Sequence, residues 1–288
     1  MLPGGPGRYD APSRRPACRA FAAQWGANRH EHENEHEKQE DKNKKMPQAL
    51  LVTFGSYGDV YPFIGLGRAL QRSGVDVTVI TNGHFADAVT GTGLKFKAVG
   101  TVEQYAAITQ DRDLWHPRRG FELVARAWIE LMPETYAVIR DHYVPGQTVV
   151  VASAPVFGAR VAQEHLGVPL ATVHLQPATI RSLHETPRLP LVPPSDWQPR
   201  LCRRLVYWLA DQFVDRMVAA PLNAFRAQFQ LAPVRRVLRD WWVSPQLVVG
   251  LFPDWFAPPQ PDWPPQILLA GFPLYDGAAP DDLPAEVA

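Results

Sequence analysis

The sequence predicts an α/β fold: a Rossmann-like parallel sheet flanked by helices. Two observations carry this expectation. An apolar run, Ala49-Leu50-Leu51-Val52-Thr53-Phe54, leads through Gly55-Ser56-Tyr57-Gly58-Asp59-Val60-Tyr61-Pro62 into a helical pattern over 63–70. Strand, glycine turn and helix start open such a unit. Strand patterns then alternate with helical ones along the body, a spacing that implies parallel strands joined by right-handed crossovers.

The elements follow in order. Residues 75–80 are rich in β-branched side chains and read as the second strand, with Gly74 before it as a helix stop. Residues 84–90 read as a short helix and 94–99 as a third strand. Helical periodicity over 121–132 and 134–143 is broken by Pro133, which predicts two helices. A strand is expected at 148–152, a helix at 156–165 and a strand at 169–174, punctuated by Gly146 and by Gly167-Val168-Pro169. Residues 177–199 read as loop, with prolines at 177, 187, 190, 193, 194 and 199. An amphipathic helix follows over 201–218, its stripe formed by Leu201, Leu205, Leu209, Phe213 and Met217. The last apolar strand is expected at 246–252. No internal repeat is visible.

The first 45 residues are foreign to this pattern. Residues 1–25 are rich in Pro, Gly and Arg, and 30–45 are almost wholly polar, so neither part can bury a core. After Lys45 the only lysines are Lys95 and Lys97. The expectation is a disordered tail over 1–45, lying upstream of a true start at Met46. The folded domain is then 46–276, and 277–288 has the composition of a linker. His30, His32 and His36 lie in the polar run and read as solvated, because no rigid element fixes a ligand geometry there.

The formal net charge is zero, so nothing argues for nucleic acid as a partner. Cys18 and Cys202 form no disulfide framework, and a reducing, cytoplasmic compartment fits them. No apolar run approaches the ~20 residues that span a bilayer, and no secretory signal is visible. Arg200, Arg203 and Arg204 open the amphipathic helix. They read first as a solvated face, with anionic headgroups at the inner membrane face as the alternative.

The chemistry centres on the first loop. Gly55 and Gly58 allow tight turns and close approach of a ligand, and the helix start after them favours an anion. Asp59 stands at the carboxyl end of the first strand, where open α/β sheets hold ligands. It could take a proton from a substrate hydroxyl as a general base, or it could cap the helix. A dinucleotide site is disfavoured: the Gly-x-Gly-x-x-Gly spacing is missing and the second strand ends in Thr81-Asn82 rather than an acid. Asp111-Arg112-Asp113 offers a carboxylate pair for a cation, but its polar setting reads as a solvated turn. No metal or cofactor is expected. His174 and Gln176 follow a buried strand at the ligand edge, and Trp115 and Trp128 could line an apolar pocket or belong to the core.

The first loop, continued by Phe63-Ile64-Gly65-Leu66-Gly67, resembles that of the glycosyltransferase family 28 amino-terminal domain, shared with antibiotic and sterol glycosyltransferases of the GT-B fold. Further segments resemble the rhamnosyltransferases of rhamnolipid synthesis: Asp113-Leu114-Trp115-His116-Pro117, Ser244-Pro245-Gln246, the Pro/Trp-rich run from Leu251 to Pro264 and the run from Gly271 to Gly277. The resemblance implies the amino-terminal half of a GT-B fold. It implies inverting transfer of a sugar from a nucleotide-sugar co-substrate to a hydroxyl of a lipid-like acceptor, with Asp59 as the base. Gly55, Ser56, Tyr57, Gly58, Trp115, Trp128, His174 and Gln176 are the candidate substrate-binding residues. Antibiotic-type relatives often have Arg where Tyr57 stands, so the family's acceptor contact at that position is not carried over. The donor loop His-x-Gly-x-Gly-Thr of the family's second domain does not occur in these 288 residues. This chain is therefore expected to act as the acceptor half, without turnover by itself. The rival reading is a non-catalytic lipid-binding remnant or helper chain.

Overall fold

A computed structural model describes residues 46–185, 199–275 and 277. The expectations for the tail over 1–45, for most of the linker and for the middle of the proline-rich loop lie outside the described residues.

Seven strands form one sheet: β1 (Gln48–Val52), β2 (Asp76–Thr81), β3 (Lys95–Ala98), β4 (Thr148–Ser153), β5 (Leu170–His174), β6 (Leu247–Gly250) and β7 (Ile267–Leu269). All neighbours run parallel, in the order β3-β2-β1-β4-β5-β6-β7. Among the described residues six α-helices accompany them: α1 (Tyr57–Arg72), α2 (Ala86–Thr90), α3 (Val102–Thr109), α4 (Arg119–His142), α5 (Phe157–Leu166) and α6 (Arg200–Ala227). The α3 helix, the short β7 and a π turn at Val237–Trp241 were not foreseen from the sequence.

The central strands are apolar because both faces are covered. Leu50 and Val52 join one core with Val150 and Ala152 under α4, α5 and α6. Ala49 and Leu51 join the other with Val77 and Val79 under α1 and α2. Alternation along the strand divides the residues between the two layers.

Two sequence expectations are corrected. Residues 119–142 form one helix that runs through Pro133. Pro133 sits on its exposed side, where water can replace the lost backbone bond, while Ala125, Met132, Tyr136 and Ile139 keep one continuous buried face on both sides of it. That face holds the helix together against a proline cost of about 3 kcal/mol. Close approach adds to this: a Cβ on Gly158 of α5 would lie 2.5 Å from the Met132 carbonyl of α4.

The second correction concerns α6. Its buried residues are Asp211, Val214, Val218, Leu222, Phe225 and Arg226. The expected stripe is not buried as a unit: Leu201, Leu205 and Leu209 are 75%, 55% and 53% exposed. A strict four-residue repeat advances about 40° too far per step on a helix of 3.6 residues per turn. It therefore winds from solvent at Leu201 to the edge of the core at Phe213 and Met217.

Candidate functional site

The strand order reverses between β1 and β4, and in such sheets the ligand crevice lies outside the carboxyl ends at that point. The loop leaving β1 carries Gly55 at φ +136°, a conformation that favours glycine. The following serine starts α1, and Asp59 falls in its first turn. Asp59 Oδ2 accepts hydrogen bonds from the Ser56 N–H at 2.7 Å and the Ser56 hydroxyl at 3.0 Å. The Thr53 hydroxyl donates to the Asp59 carbonyl at 3.2 Å. A Cβ on Gly55 would stand 2.2 Å from Asp59 Oδ2, so the glycine makes room for the carboxylate. The other oxygen, Oδ1, accepts no hydrogen bond among the described residues, and the residue is half-buried. Asp59 is thus a cap through one oxygen and open through the other.

Across the crevice β4 ends in Ser153, whose buried hydroxyl finds no partner among the described residues. By strand alternation Ser153 lies on the α1 side of the sheet, the side of Val149 and Val151.

Aromatic rings flank the loop. The Tyr57 hydroxyl lies 3.0 Å from His84 Nε2, and its ring meets Tyr61 and Phe85 edge-on at 5.2 and 5.0 Å. His84 stacks on Tyr105 at 4.5 Å. Burial first, and then the neighbouring Tyr57 and Asp59, raise the Tyr105 phenol above its ordinary pKa. His84 was missed from the sequence. Its only signal is position, just past the carboxyl end of β2 beside Asn82, whose side chain accepts from the His84 N–H at 2.9 Å.

Of the expected site residues, the structure brings Gly55, Ser56, Tyr57, Gly58 and Asp59 together on one exposed turn. The rest make no hydrogen bond or ring contact with this turn among the described residues. Trp115 is 88% exposed on a short 3₁₀ turn. Trp128 is half-buried and packs edge-on against Phe121 and Phe157, within the core. Gln176 is exposed, and its carbonyl accepts from the Thr179 hydroxyl at 2.8 Å. Asp111 and Asp113 do not face a common point: Asp111 caps the 3₁₀ turn through the Asp113 N–H, and Asp113 pairs with Arg119. Among the described residues no group of three His, Cys, Asp or Glu could hold a metal.

His174 is buried at 3% exposure, with Nδ1 2.8 Å from the Thr179 hydroxyl and Trp242 edge-on at 5.6 Å. Burial lowers its pKa from 6.5 to about 4, so it stays neutral at pH 7. The unfolded chain binds this proton below 6.5, whereas the native state resists it until about 4. Stability from this group is complete above pH 6.5 and is lost as pH falls towards 4, by roughly 3 kcal/mol in all. We expect urea unfolding between pH 7.5 and 4.5 to show His174→Gln losing stability less steeply than the parent. Equal slopes would mean that His174 is not held neutral.

The site lies at the switch point of an open parallel sheet, and the fold resembles that of GT-B glycosyltransferases. Residues 49–184 match the Glycosyltransferase family 28 N-terminal domain. The chain is 26% identical over 237 residues to a sterol 3-beta-glucosyltransferase of Debaryomyces hansenii, covering 81% of this chain and 14% of that protein. It is 26% identical over 218 residues to glycosyltransferase GtfE of Amycolatopsis orientalis, covering 72% of this chain and 51% of that one. The crystal structure of the glycosyltransferase SnogD from Streptomyces nogalater superposes with a TM-score of 0.52 at 18% identity, over 84% of this chain and 55% of that one. The chain thus spans little more than half the length of these proteins at most.

Proposed function

We propose that this chain supplies the acceptor-binding half of an inverting glycosyltransferase. The sugar moves from a nucleotide-sugar donor to a hydroxyl of a lipid-like acceptor. The observation that carries the reading is Asp59 at the switch point, held through Oδ2 and free at Oδ1. The acceptor hydroxyl donates to Oδ1. Its oxygen attacks the anomeric carbon as the proton passes to the carboxylate, and the nucleoside diphosphate departs from the opposite face of the sugar. The fixed oxygen prevents the carboxylate from turning away, and Gly55 and Gly58 let the acceptor come close.

The similarity to a sterol glucosyltransferase supports an apolar acceptor bearing a hydroxyl. The aromatic surround of Tyr57, His84, Phe85 and Tyr105 suits such a molecule. The resemblance of the Pro/Trp-rich run from Leu251 to Pro264 to the rhamnosyltransferases of rhamnolipid synthesis supports rhamnose as the sugar. We place the protein in the cytoplasm, where the exposed thiol of Cys202 stays reduced.

Calorimetric titration with a 3-hydroxy fatty acid and with ergosterol, each dispersed by cyclodextrin, tests the acceptor class. Saturable binding of at least one is expected, weakened about tenfold in Tyr57→Ala through the loss of roughly 1.4 kcal/mol of ring contact. Binding of free hexoses but of neither lipid would overturn the acceptor reading.

A further inference from the structure

We propose that the first turns of α6 form a docking face for anionic lipid bilayers. The first three leucines of the expected stripe lie on the outer surface of this helix, while Phe213 and Met217 pack at the edge of the core. Leu201, Leu205, Trp208 and Leu209 are 75%, 55%, 52% and 53% exposed and follow one another at helical spacing. Together they make a convex apolar strip rather than a groove. Arg200 and Arg204 border it, and Arg216 lies about two turns beyond Leu209. These three guanidiniums are exposed and make no ion pair among the described residues.

The charge is one-sided for a physical reason. The only carboxylates on α6 are turned to internal work. Asp211 is buried in a two-bond pair with Arg181, at 3.0 and 2.9 Å. Asp215 accepts the backbone N–H groups of Arg236 and Val237. Arg203 is likewise held, donating to the Leu183 and His184 carbonyls. What faces outward is leucine, tryptophan and unpaired arginine. That composition suits the headgroup boundary, where apolar side chains enter the acyl region and arginines meet lipid phosphate. A protein partner would need an acidic, concave surface, whereas a flat anionic bilayer matches a single convex helix as it stands. Four residues are too few to insert deeply, and no helix among the described residues is long and apolar enough to cross a membrane. The contact is therefore peripheral and reversible.

Sedimentation of the 288-residue chain with large unilamellar vesicles tests this without sugar, acceptor or turnover, so its outcome is independent of the proposed reaction. Binding to phosphatidylcholine vesicles containing 30% phosphatidylglycerol should be at least about tenfold tighter than to phosphatidylcholine alone, since arginines near an anionic surface add electrostatic attraction. The pair Arg200→Glu/Arg204→Glu should abolish that ratio. The pair Leu205→Ser/Leu209→Ser should weaken binding to the anionic vesicles about tenfold. All four positions are exposed, and unchanged circular dichroism checks that the variants fold. No vesicle binding, equal binding to both compositions, or binding untouched by either pair would overturn the proposal. So would a dimer in sedimentation velocity that Leu205→Ser/Leu209→Ser dissolves, because the strip would then belong to a second copy.

Discussion

Asp59→Asn should lower glycosyl transfer by at least about a hundredfold while leaving the fold intact. The measurement uses the chain joined to a donor-binding half, with a hydroxylated lipid acceptor at saturation. A hydroxyl in water has a pKa far above 7, so its attack on an anomeric carbon gains from a base that removes the proton as the bond forms. Such groups contribute about 100- to 10,000-fold in rate. The amide keeps the size of the side chain and an oxygen for the Ser56 N–H and hydroxyl, which now meet Oδ2 at 2.7 and 3.0 Å. What it lacks is basicity. Loss of a cap costs only about 1 kcal/mol, so the melting temperature should move by a few degrees while kcat falls with little change in acceptor affinity. Activity within a few fold of the parent would make Asp59 a cap alone and remove the central step of the proposed mechanism.

Glu164→Ala should destabilise the fold by about 3 kcal/mol, or roughly 10 °C in Tm for a domain of this size. Glu164 Oε1 accepts from the Trp241 indole N–H at 3.0 Å and pairs with Arg160 at 3.2 Å, and Oε2 pairs with Arg226. Both guanidiniums also lie over the Trp241 ring, at 5.5 and 5.2 Å. Arg160 and Arg226 are 8% and 4% exposed. Burial lowers the Arg160 pKa, Glu164 raises it and Arg226 lowers it again. Without the carboxylate two buried like charges face each other unpaired, which is the costly way to break such a pair. The lower end of the usual 3–5 kcal/mol applies because the Glu164 side chain is 23% exposed and water can partly replace it. A loss under 1 kcal/mol in denaturant unfolding would show that solvent already screens this network.

Much of the sheet was legible because its signal is local. The run 49–54 and the stretch 148–152 are apolar on both faces, as a covered parallel strand requires, and the run 75–80 is rich in β-branched residues. The glycine before α1 was legible as a turn, and Asp59 as the acid of that turn. The site was legible only where it is contiguous. Trp115, Trp128, His174 and Gln176 sit near strand ends or aromatic runs in sequence, yet none makes a hydrogen bond or ring contact with the Asp59 turn among the described residues. His84 and Ser153 reach the same edge from β2 and β4, through strand pairing that no local pattern encodes.

Sequence alone determined the strand–turn–helix opening, the parallel character of the sheet and the place of Asp59 at its edge. The first and third depend on residues within one or two turns of one another, and the second on the regular alternation of strand and helix patterns along the chain. Tertiary structure alone decided that α4 runs on through Pro133, that the leucines opening α6 face solvent, and that His174 is sealed under Thr179 and Trp242. In those three cases the outcome rests on which surface lies opposite. Burial against α5 outweighs a proline's lost hydrogen bond, and a leucine with no layer above it stays exposed whatever its hydropathy.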